Sequence, residues 1–223
     1  MALAFPATNT TASTAIGATH LGNLPSGISA GNLICLAYRS SSTSRYLLAP
    51  AGWDGEFHSA PDVGTIGLVY KQASGSEGAT ETFSFNTGTA SAASVSFLVT
   101  GYDTADEFNT DNYVFDSEAS EDPWTVAASL LSGIANSDSN AILIGVTNSV
   151  KTISTQDSGL TLIDSNVTGK TVHVLRETSP GSSNSAYSND MSGAEAWSEM
   201  LIEIKAAAAG GGIEILRRRI EGS

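Results

Sequence analysis

An ordered internal repetition is the feature of this sequence that most constrains its fold. Four segments of the first half return in the same order in the second: SGI (26–28 and 132–134), LICLAY and AILIGV (33–38 and 141–146), TIGLVYKQASGS and TVHVLRETSPGS (65–76 and 171–182), and the closing SVSFLVTGYD and MLIEIK (94–103 and 200–205). Repeats of 20 to 50 residues indicate solenoids or propellers. The first pair is instead 106 positions apart. This spacing predicts two pseudo-equivalent halves of one sandwich, about residues 14–103 and 124–205, or two small β-domains.

The local pattern is that of strands and turns. Short runs rich in Val, Ile, Thr, Tyr and Phe are separated by clusters of Ser, Gly, Asn and Asp, and this composition favours many short strands over helices. We predict strands near residues 14–20, 32–39, 45–49, 64–72, 80–86, 92–101, 124–128, 140–147, 160–164, 170–177, 185–190 and 196–205.

Two of these strands alternate in polarity. Val95 and Phe97 alternate with Ser94 and Ser96, and the strand at 196–205 likewise alternates apolar residues with carboxylates. Since successive side chains of a strand point to opposite faces, the pattern predicts one buried face and one face in contact with water.

The fold class follows from these patterns and from the length of the chain. At 223 residues the chain can bury a sizeable core without a disulfide or a bound metal to stabilise it. Its single cysteine, Cys35, has no partner for an internal disulfide. We predict an all-β fold, a jelly-roll-like antiparallel β-sandwich over residues 1–206 built of two pseudo-repeated halves, followed by a short C-terminal tail at 207–223.

Charge and hydropathy exclude two classes of partner. The formal net charge of −13 disfavours nucleic acid, because phosphate binding needs clustered Lys and Arg. No stretch approaches the 18 or more apolar residues of a membrane span, and the first six residues lack the features of a secretory signal. We therefore expect neither nucleic acid nor membrane as a partner, and synthesis in a cytosol.

An acidic segment lies between the two halves. Residues 103–122 contain eight acidic residues and neither Lys nor Arg, which predicts a solvated connection. Calcium is the alternative, because Asp103, Asp106, Glu107 and Asp111 supply hard oxygen ligands within a short loop, although the D-x-D-x-D-G order of a calcium loop is absent.

The C-terminal tail differs in character from the body. Alanines at 206–209 and glycines at 210–212 form a flexible joint, after which three consecutive arginines reverse the charge. We predict an assembly element that gains order by docking, with a disordered end or a cloning remnant as the alternative. Its partner-binding residues would be Ile213, Ile215, Leu216, Arg217, Arg218, Arg219 and Ile220.

The sequence offers little catalytic chemistry. It contains no G-x-S-x-G, P-loop, dinucleotide-binding glycine motif or Cys/His metal spacing, so we predict no catalytic residue, no cofactor and no metal. The last-ranked alternative is an enzyme with paired carboxylates for glycoside hydrolysis, which would need a cleft where acidic residues converge. Of the three histidines, His173 lies within a strand, where we predict a packed or surface side chain.

Five aromatic residues are candidates for stacking on sugar rings: Trp53, Trp124, Trp197, Tyr102 and Tyr113. For Trp53 and Trp197 we predict packing in the core or at its rim. Exposure of Trp53 or Trp124 on a loop would favour a glycan-binding function instead.

Four segments of the first half resemble a known module. They are LPSGISAGNLICLAY at 24–38, PAGW at 50–53, GLVYKQASGSEGATETFSF at 67–85 and SVSFLVTGYD at 94–103. Together they resemble a β-sandwich module that recurs in the virion structural proteins of tailed bacteriophages. The resemblance covers residues 14–103 directly, and it extends to the second half only because that half repeats the pattern of the first. That family usually has Asp after the first turn glycine, where this chain has Asn32.

The resemblance implies a non-enzymatic virion part assembled in the host cytoplasm. The expected role is a capsid decoration (cement) protein that binds the major capsid protein on the outer capsid surface and stabilises the shell, with a tail-associated protein as the other location. It implies a homo-oligomer, which we expect to be a trimer at a three-fold position. The alternative is a carbohydrate- or receptor-binding module of a head or tail fibre, with a host-surface glycan as partner.

Overall fold

The computed structural model describes residues 3–12, 16–60, 63–104, 114–121, 124–126, 140–147, 150–168, 171–177 and 187–207. Every regular element within these residues is a β-strand, so the all-β prediction is confirmed. The strands are β1 (Thr8–Ala12), β2 (Thr19–Asn23), β3 (Leu33–Ser40), β4 (Asp54–Ala60), β5 (Gly64–Gln72), β6 (Thr80–Ser84), β7 (Ala92–Val99), β8 (Val114–Glu121), β9 (Trp124–Val126), β10 (Asn140–Thr147), β11 (Ile153–Thr155), β12 (Leu160–Asn166), β13 (Thr171–Glu177), β14 (Tyr187–Met191) and β15 (Glu195–Ile204).

The strands form two large and two small antiparallel sheets. Sheet A has the order β1-β7-β3-β5-β4, and sheet B has the order β12-β13-β10-β15-β8. A two-stranded sheet, β2-β6, and a three-stranded sheet, β11-β14-β9, complete the described fold. All strand pairs within these sheets are antiparallel.

The sheets stack in four layers around three apolar clusters. The inner cluster joins sheets A and B, with Leu33 and Cys35 on β3 and Ile142 and Ile144 on β10 among its members. A second cluster fills the space between sheet A and the β2-β6 sheet, and a third lies between sheet B and the β11-β14-β9 sheet. The two large sheets are therefore covered on both faces, which makes the body a β-sandwich with an outer sheet on each side.

The prediction that β7 and β15 each have one solvent-exposed face is wrong. On β7, Ser94 and Ser96 are buried beneath β2, and Ser96 donates a hydrogen bond of 2.7 Å to the Asn23 carbonyl oxygen. On β15, Glu199 and Glu203 are each only 1% exposed. The outer sheets explain the difference, because they cover faces whose polar residues, taken alone, indicate contact with water.

The strand orders of the two large sheets correspond. Sheet A is β1-β7-β3-β5-β4, and sheet B read from its other edge is β8-β15-β10-β13-β12, so each strand of the first half has a counterpart in chain order. The small sheets correspond as β2-β6 and β9-β14. Across the inner core, β7 contacts β13 while β5 contacts β15, as expected of a pseudo-two-fold arrangement. This correspondence supports the pseudo-repeat, which stays a prediction, as does the jelly-roll connectivity.

Some of the individual strand predictions are wrong. The prediction near 45–49 is wrong, because Leu47 makes only an isolated bridge to Phe85. The first predicted strand is misplaced, since β2 begins at Thr19, and β1, β4, β8 and β11 were not predicted. The acidic connection at 103–122 is not solely a solvated loop, because β8 lies within it and pairs with β15.

Candidate functional site

The predicted tail residues, 213–220, lie outside the described residues. The described chain ends at Ala207, whose N–H donates a hydrogen bond of 2.8 Å to the Gly101 carbonyl oxygen. Ala206 forms an isolated bridge with Tyr102. The described chain therefore ends beside Gly101 and Tyr102, the residues that follow β7 in the first half.

The turn that carries the PAGW motif is a packed corner of sheet A. The Trp53 N–H donates a hydrogen bond of 2.9 Å to the Pro50 carbonyl oxygen, and Gly52 takes a positive φ of 82° that favours glycine. The Trp53 ring is buried and meets Phe83 edge-on, with 5.1 Å between ring centroids. The motif thus positions a core aromatic residue.

A second motif, ASGSE, meets the same corner through Lys71. The Glu77 carboxylate accepts backbone hydrogen bonds from Ser74 (2.8 Å) and Gly75 (2.9 Å) and forms an ion pair of 3.1 Å with Lys71. Lys71 Nζ also lies 5.3 Å from the centroid of the Trp53 ring. Burial raises the pKa of Glu77, but these hydrogen bonds outweigh it and lower the pKa to about 2. Both motifs are therefore structural.

A row of polar residues crosses the outer face of sheet B. Strand register places Ser165 beside His173, His173 beside Gly145, and Gly145 beside Glu199. Ser165 Oγ and His173 Nδ1 share a hydrogen bond of 2.7 Å, and the indole Nε1 of Trp124 donates one of 2.5 Å to Glu199 Oε2. A Cβ built on Gly145 would lie 2.0 Å from the Trp124 ring, so the indole lies directly over this glycine.

This row does not have the geometry of a catalytic triad. In a triad the imidazole bridges serine and carboxylate through its two nitrogens, whereas here the carboxylate of Glu199 binds the Trp124 indole. Burial lowers the pKa of His173 to about 4, although the nearby Lys151 backbone raises it. The imidazole is therefore neutral near pH 7 and packed, as predicted for His173.

A hydrogen bond that involves a buried ring nitrogen joins each outer sheet to its large sheet. In the second half this is the Trp124–Glu199 bond between β9 and β15. In the first half, His20 Nε2 on β2 shares a hydrogen bond of 2.9 Å with Ser94 Oγ on β7. Burial lowers the pKa of His20 to about 4. These polar groups hold layers together, and the sequence patterns did not predict that role.

The candidate sugar-stacking aromatics are buried where they are described. Trp53, Trp124, Trp197 and Tyr102 all belong to the core, so the packing predicted for Trp53 and Trp197 is confirmed; Tyr113 lies outside the described residues. The exposure that would have favoured a glycan-binding function is thus not found at Trp53 or Trp124.

An exposed aromatic residue, Phe57, lies on the edge of sheet A instead, stacked on the partly buried Tyr46. Phe57 on β4 is 45% exposed and stacks on Tyr46, with 3.6 Å between ring centroids and 9° between ring planes. β4 is the last strand of its sheet and also carries Asp54, Glu56 and His58. We call these five residues the β4 surface. Sequence reasoning missed it, since β4 was not predicted as a strand and neither Tyr46 nor Phe57 belongs to a recognised motif.

Of the four candidate calcium ligands, only Asp103 lies within the described residues. Asp106, Glu107 and Asp111 lie outside the described residues, and the remaining described carboxylates, histidines and cysteine form no group of three that could hold a metal ion. Across the described ranges, no helix has the length and apolar character needed to cross a bilayer.

Comparison with known proteins gives no relative to reason from. No family model, no curated protein and no solved structure matches the chain.

Proposed function

We propose that this chain is a non-enzymatic structural protein of a tailed-bacteriophage virion, a decoration (cement) protein that binds the outer capsid surface. The observation that carries the proposal is the β4 surface, where the exposed Phe57 of an edge strand stacks on the partly buried Tyr46. Exposed apolar groups on a sheet edge favour association with another chain. The ionisable groups clustered in the described body, by contrast, fasten sheets and turns.

The mechanism is adhesion to an assembled shell. A protein that binds the assembled capsid better than its dissociated subunits stabilises the assembly by mass action. A homotrimer at a three-fold position would contact several capsid subunits at once, and multivalency raises the overall affinity without new contacts. The net charge of −13 favours solubility of the free copies.

The partners in this proposal are the major capsid protein and further copies of the chain. A host-surface glycan is less well supported, because Trp53 and Trp124 are buried. Tyr46 and Phe57 stack on each other, so each ring has only one face left for a sugar.

Binding to particles tests this function. Full-length protein, added to purified capsids of the encoding phage that lack it, should co-sediment saturably and raise the temperature at which the capsids release DNA. Replacing an exposed anchor residue, Phe57→Ser, should weaken binding about tenfold or more, since aromatic anchors dominate interface energies. The matched control is Leu21→Ser on β2, where the side chain is 54% exposed and away from the β4 surface; it should bind normally. Full-length protein that stays in the supernatant at every concentration would contradict the proposal.

A further inference from the structure

We propose that acid releases the two-stranded β2–β6 sheet from sheet A while the inner sandwich stays closed, with His20 as the group that takes up the proton. We call this small sheet the lid. It covers the second apolar cluster, whose members include Leu36, Phe83 and Phe85. Opening of one layer before the whole fold is a sub-global event of the kind that native proteins show. The inference concerns the isolated chain and does not rest on the proposed function.

The His20 imidazole lies between the lid and sheet A. The side chain is 1% exposed, and its Nε2 shares a hydrogen bond of 2.9 Å with Ser94 Oγ on β7. The other ring nitrogen, Nδ1, is buried and has no hydrogen-bond partner among the described residues. A protonated imidazole donates from both nitrogens, so the new Nδ1–H would be buried without an acceptor. Because burying an uncompensated charge is costly, protonation favours a state in which the two layers have separated.

The strands nearest to His20 offer little to compensate its charge. β1 and β7, which contact β2, contain no ionisable residue. On β6, Glu81 lies opposite Gly22, and its Oε1 accepts a hydrogen bond of 3.2 Å from the Thr82 N–H. Burial lowers the pKa of His20 to about 4. The imidazole therefore stays neutral in the closed protein at a pH where the same group in water is protonated.

Two further strands bring ionisable groups toward Ser94. On β3, Tyr38 pairs with Ser94, and burial raises the pKa of this phenol, so it stays neutral in acid. β12 contacts β1 and β7 and reaches the Ser94 carbonyl oxygen through Asn166 Nδ2, at 3.2 Å. The ionisable residue of β12 is Asp164, whose carboxylate accepts a hydrogen bond of 2.7 Å from the Ser165 N–H. Neither group makes a hydrogen bond to the imidazole within the described chain.

Other contacts hold one end of the lid to sheet A and do not titrate. Asn23 is the last residue of β2. Its N–H donates a hydrogen bond of 2.7 Å to Thr11 Oγ1 and its Nδ2 donates one of 2.9 Å to the Thr10 carbonyl oxygen, while its own carbonyl oxygen accepts one of 2.7 Å from Ser96. None of these groups changes charge in acid. The lid therefore stays tethered at Asn23 when the imidazole is protonated.

The outer sheet of the second half is joined to its large sheet in a different way. Trp124 Nε1 donates to Glu199 Oε2, and an indole does not take up a proton. The other buried histidine, His173, bonds Ser165 on the neighbouring strand of the same sheet, so that polar contact does not join two layers. Opening of the lid thus exposes one histidine, whereas global unfolding exposes both.

Native-state hydrogen exchange of the full chain between about pH 6.5 and pH 4.5 tests the inference, with each rate divided by the intrinsic rate at the same pH. Amides of the β2–β6 ladder should open more often than those of the β3–β5 ladder. Their opening constant should rise about tenfold for each pH unit of acidification, because one proton is taken up. Amides of the β3–β5 ladder should open only on global unfolding, with a rise of about a hundredfold per unit from two histidines.

Two variants identify the group that takes up the proton. His20→Asn should make the opening constant of the β2–β6 ladder independent of pH. His173→Gln is the matched control and should leave the tenfold slope of that ladder unchanged.

A thiol readout follows the lid without changing a histidine. Ala92→Cys places a thiol in the second cluster, beneath the lid, whereas the native Cys35 lies in the inner cluster. As the pH falls, a disulfide reagent that reacts with thiols in acid should label position 92 before it labels Cys35.

Equal opening constants and equal pH slopes in the two ladders would overturn the inference, because the lid would then open only with the whole fold. Simultaneous labelling of both thiols would overturn it as well. A tenfold slope that persists in folded His20→Asn protein would show that another group takes up the proton. If His20→Asn does not fold, the exchange slopes of the wild-type chain and the order of thiol labelling still decide.

Discussion

Gly145→Ala should lower the free energy of unfolding by about 3 to 5 kcal/mol, the range seen when a large buried aromatic side chain loses its packing. The new Cβ would lie 2.0 Å and 2.4 Å from two atoms of the Trp124 ring, and a rigid indole cannot yield as a flexible chain end can. Displacing it also breaks the Trp124–Glu199 hydrogen bond and leaves that carboxylate buried without it. Urea unfolding at pH 7 measures the change.

A double-mutant cycle separates this clash from a general effect of alanine. In a Trp124→Ala background, Gly145→Ala should cost well under about 1 kcal/mol, because the colliding ring is gone. The matched control is Gly78→Ala, where the nearest atom to an added Cβ is 3.7 Å away and the change should be nearly neutral. If Gly145→Ala is as mild as Gly78→Ala, the indole does not lie over β10.

Stability should fall by about 6 kcal/mol between pH 7 and pH 4 through the two buried histidines, His20 and His173 together. Burial lowers both pKa values from 6.5 to about 4, so the folded protein stays unprotonated where the unfolded chain binds protons. The stabilising contribution is complete above about pH 6.5 and is lost as the pH falls toward 4, at about 1.4 kcal/mol per pH unit for each group. Urea midpoints at half-unit pH intervals measure this slope.

Substitution identifies the groups responsible. His20→Asn and His173→Gln should each remove about half of the pH dependence in this window, even if each lowers stability at pH 7. His58→Gln is the matched control, because His58 is only partly buried, whereas His20 and His173 are fully buried. An unchanged slope in both buried-site variants would contradict the assignment. The Glu77 carboxylate adds to the pH dependence of stability in a lower range. Because its pKa is lowered to about 2, its stabilising contribution is present above about pH 4.5 and is lost as the pH falls below that value.

The sequence was most informative where strands are apolar on both faces. β3, β5 and β10 were predicted nearly to their ends because runs of Leu, Ile and Val are bounded by turn residues. β4 was missed because Asp, Gly, Glu and His dominate it, and what makes it a strand is its register with β5. That pairing is a tertiary effect that local propensity does not contain.

The outer sheets were beyond reach of pattern reasoning for a related reason. Ser94 and Glu199 occupy alternating polar positions, a pattern that indicates a solvent-exposed face. Ser94 is instead covered by His20, which is 74 residues away in the chain. Glu199 is covered by Trp124, which is 75 residues away. One signal was available, since Gly145 inside an apolar strand indicates close approach by another group. The tail could be singled out by composition, whereas the β4 surface required the fold.

Cryo-electron microscopy of intact virions, from the phage that we propose carries this chain, tests the central claim most directly. We expect density on the outer capsid surface at three-fold positions, fitted by three copies of the four-layer sandwich. A capsid exterior that carries no such density, with the chain found instead at a fibre tip or missing from the particle, would contradict the account.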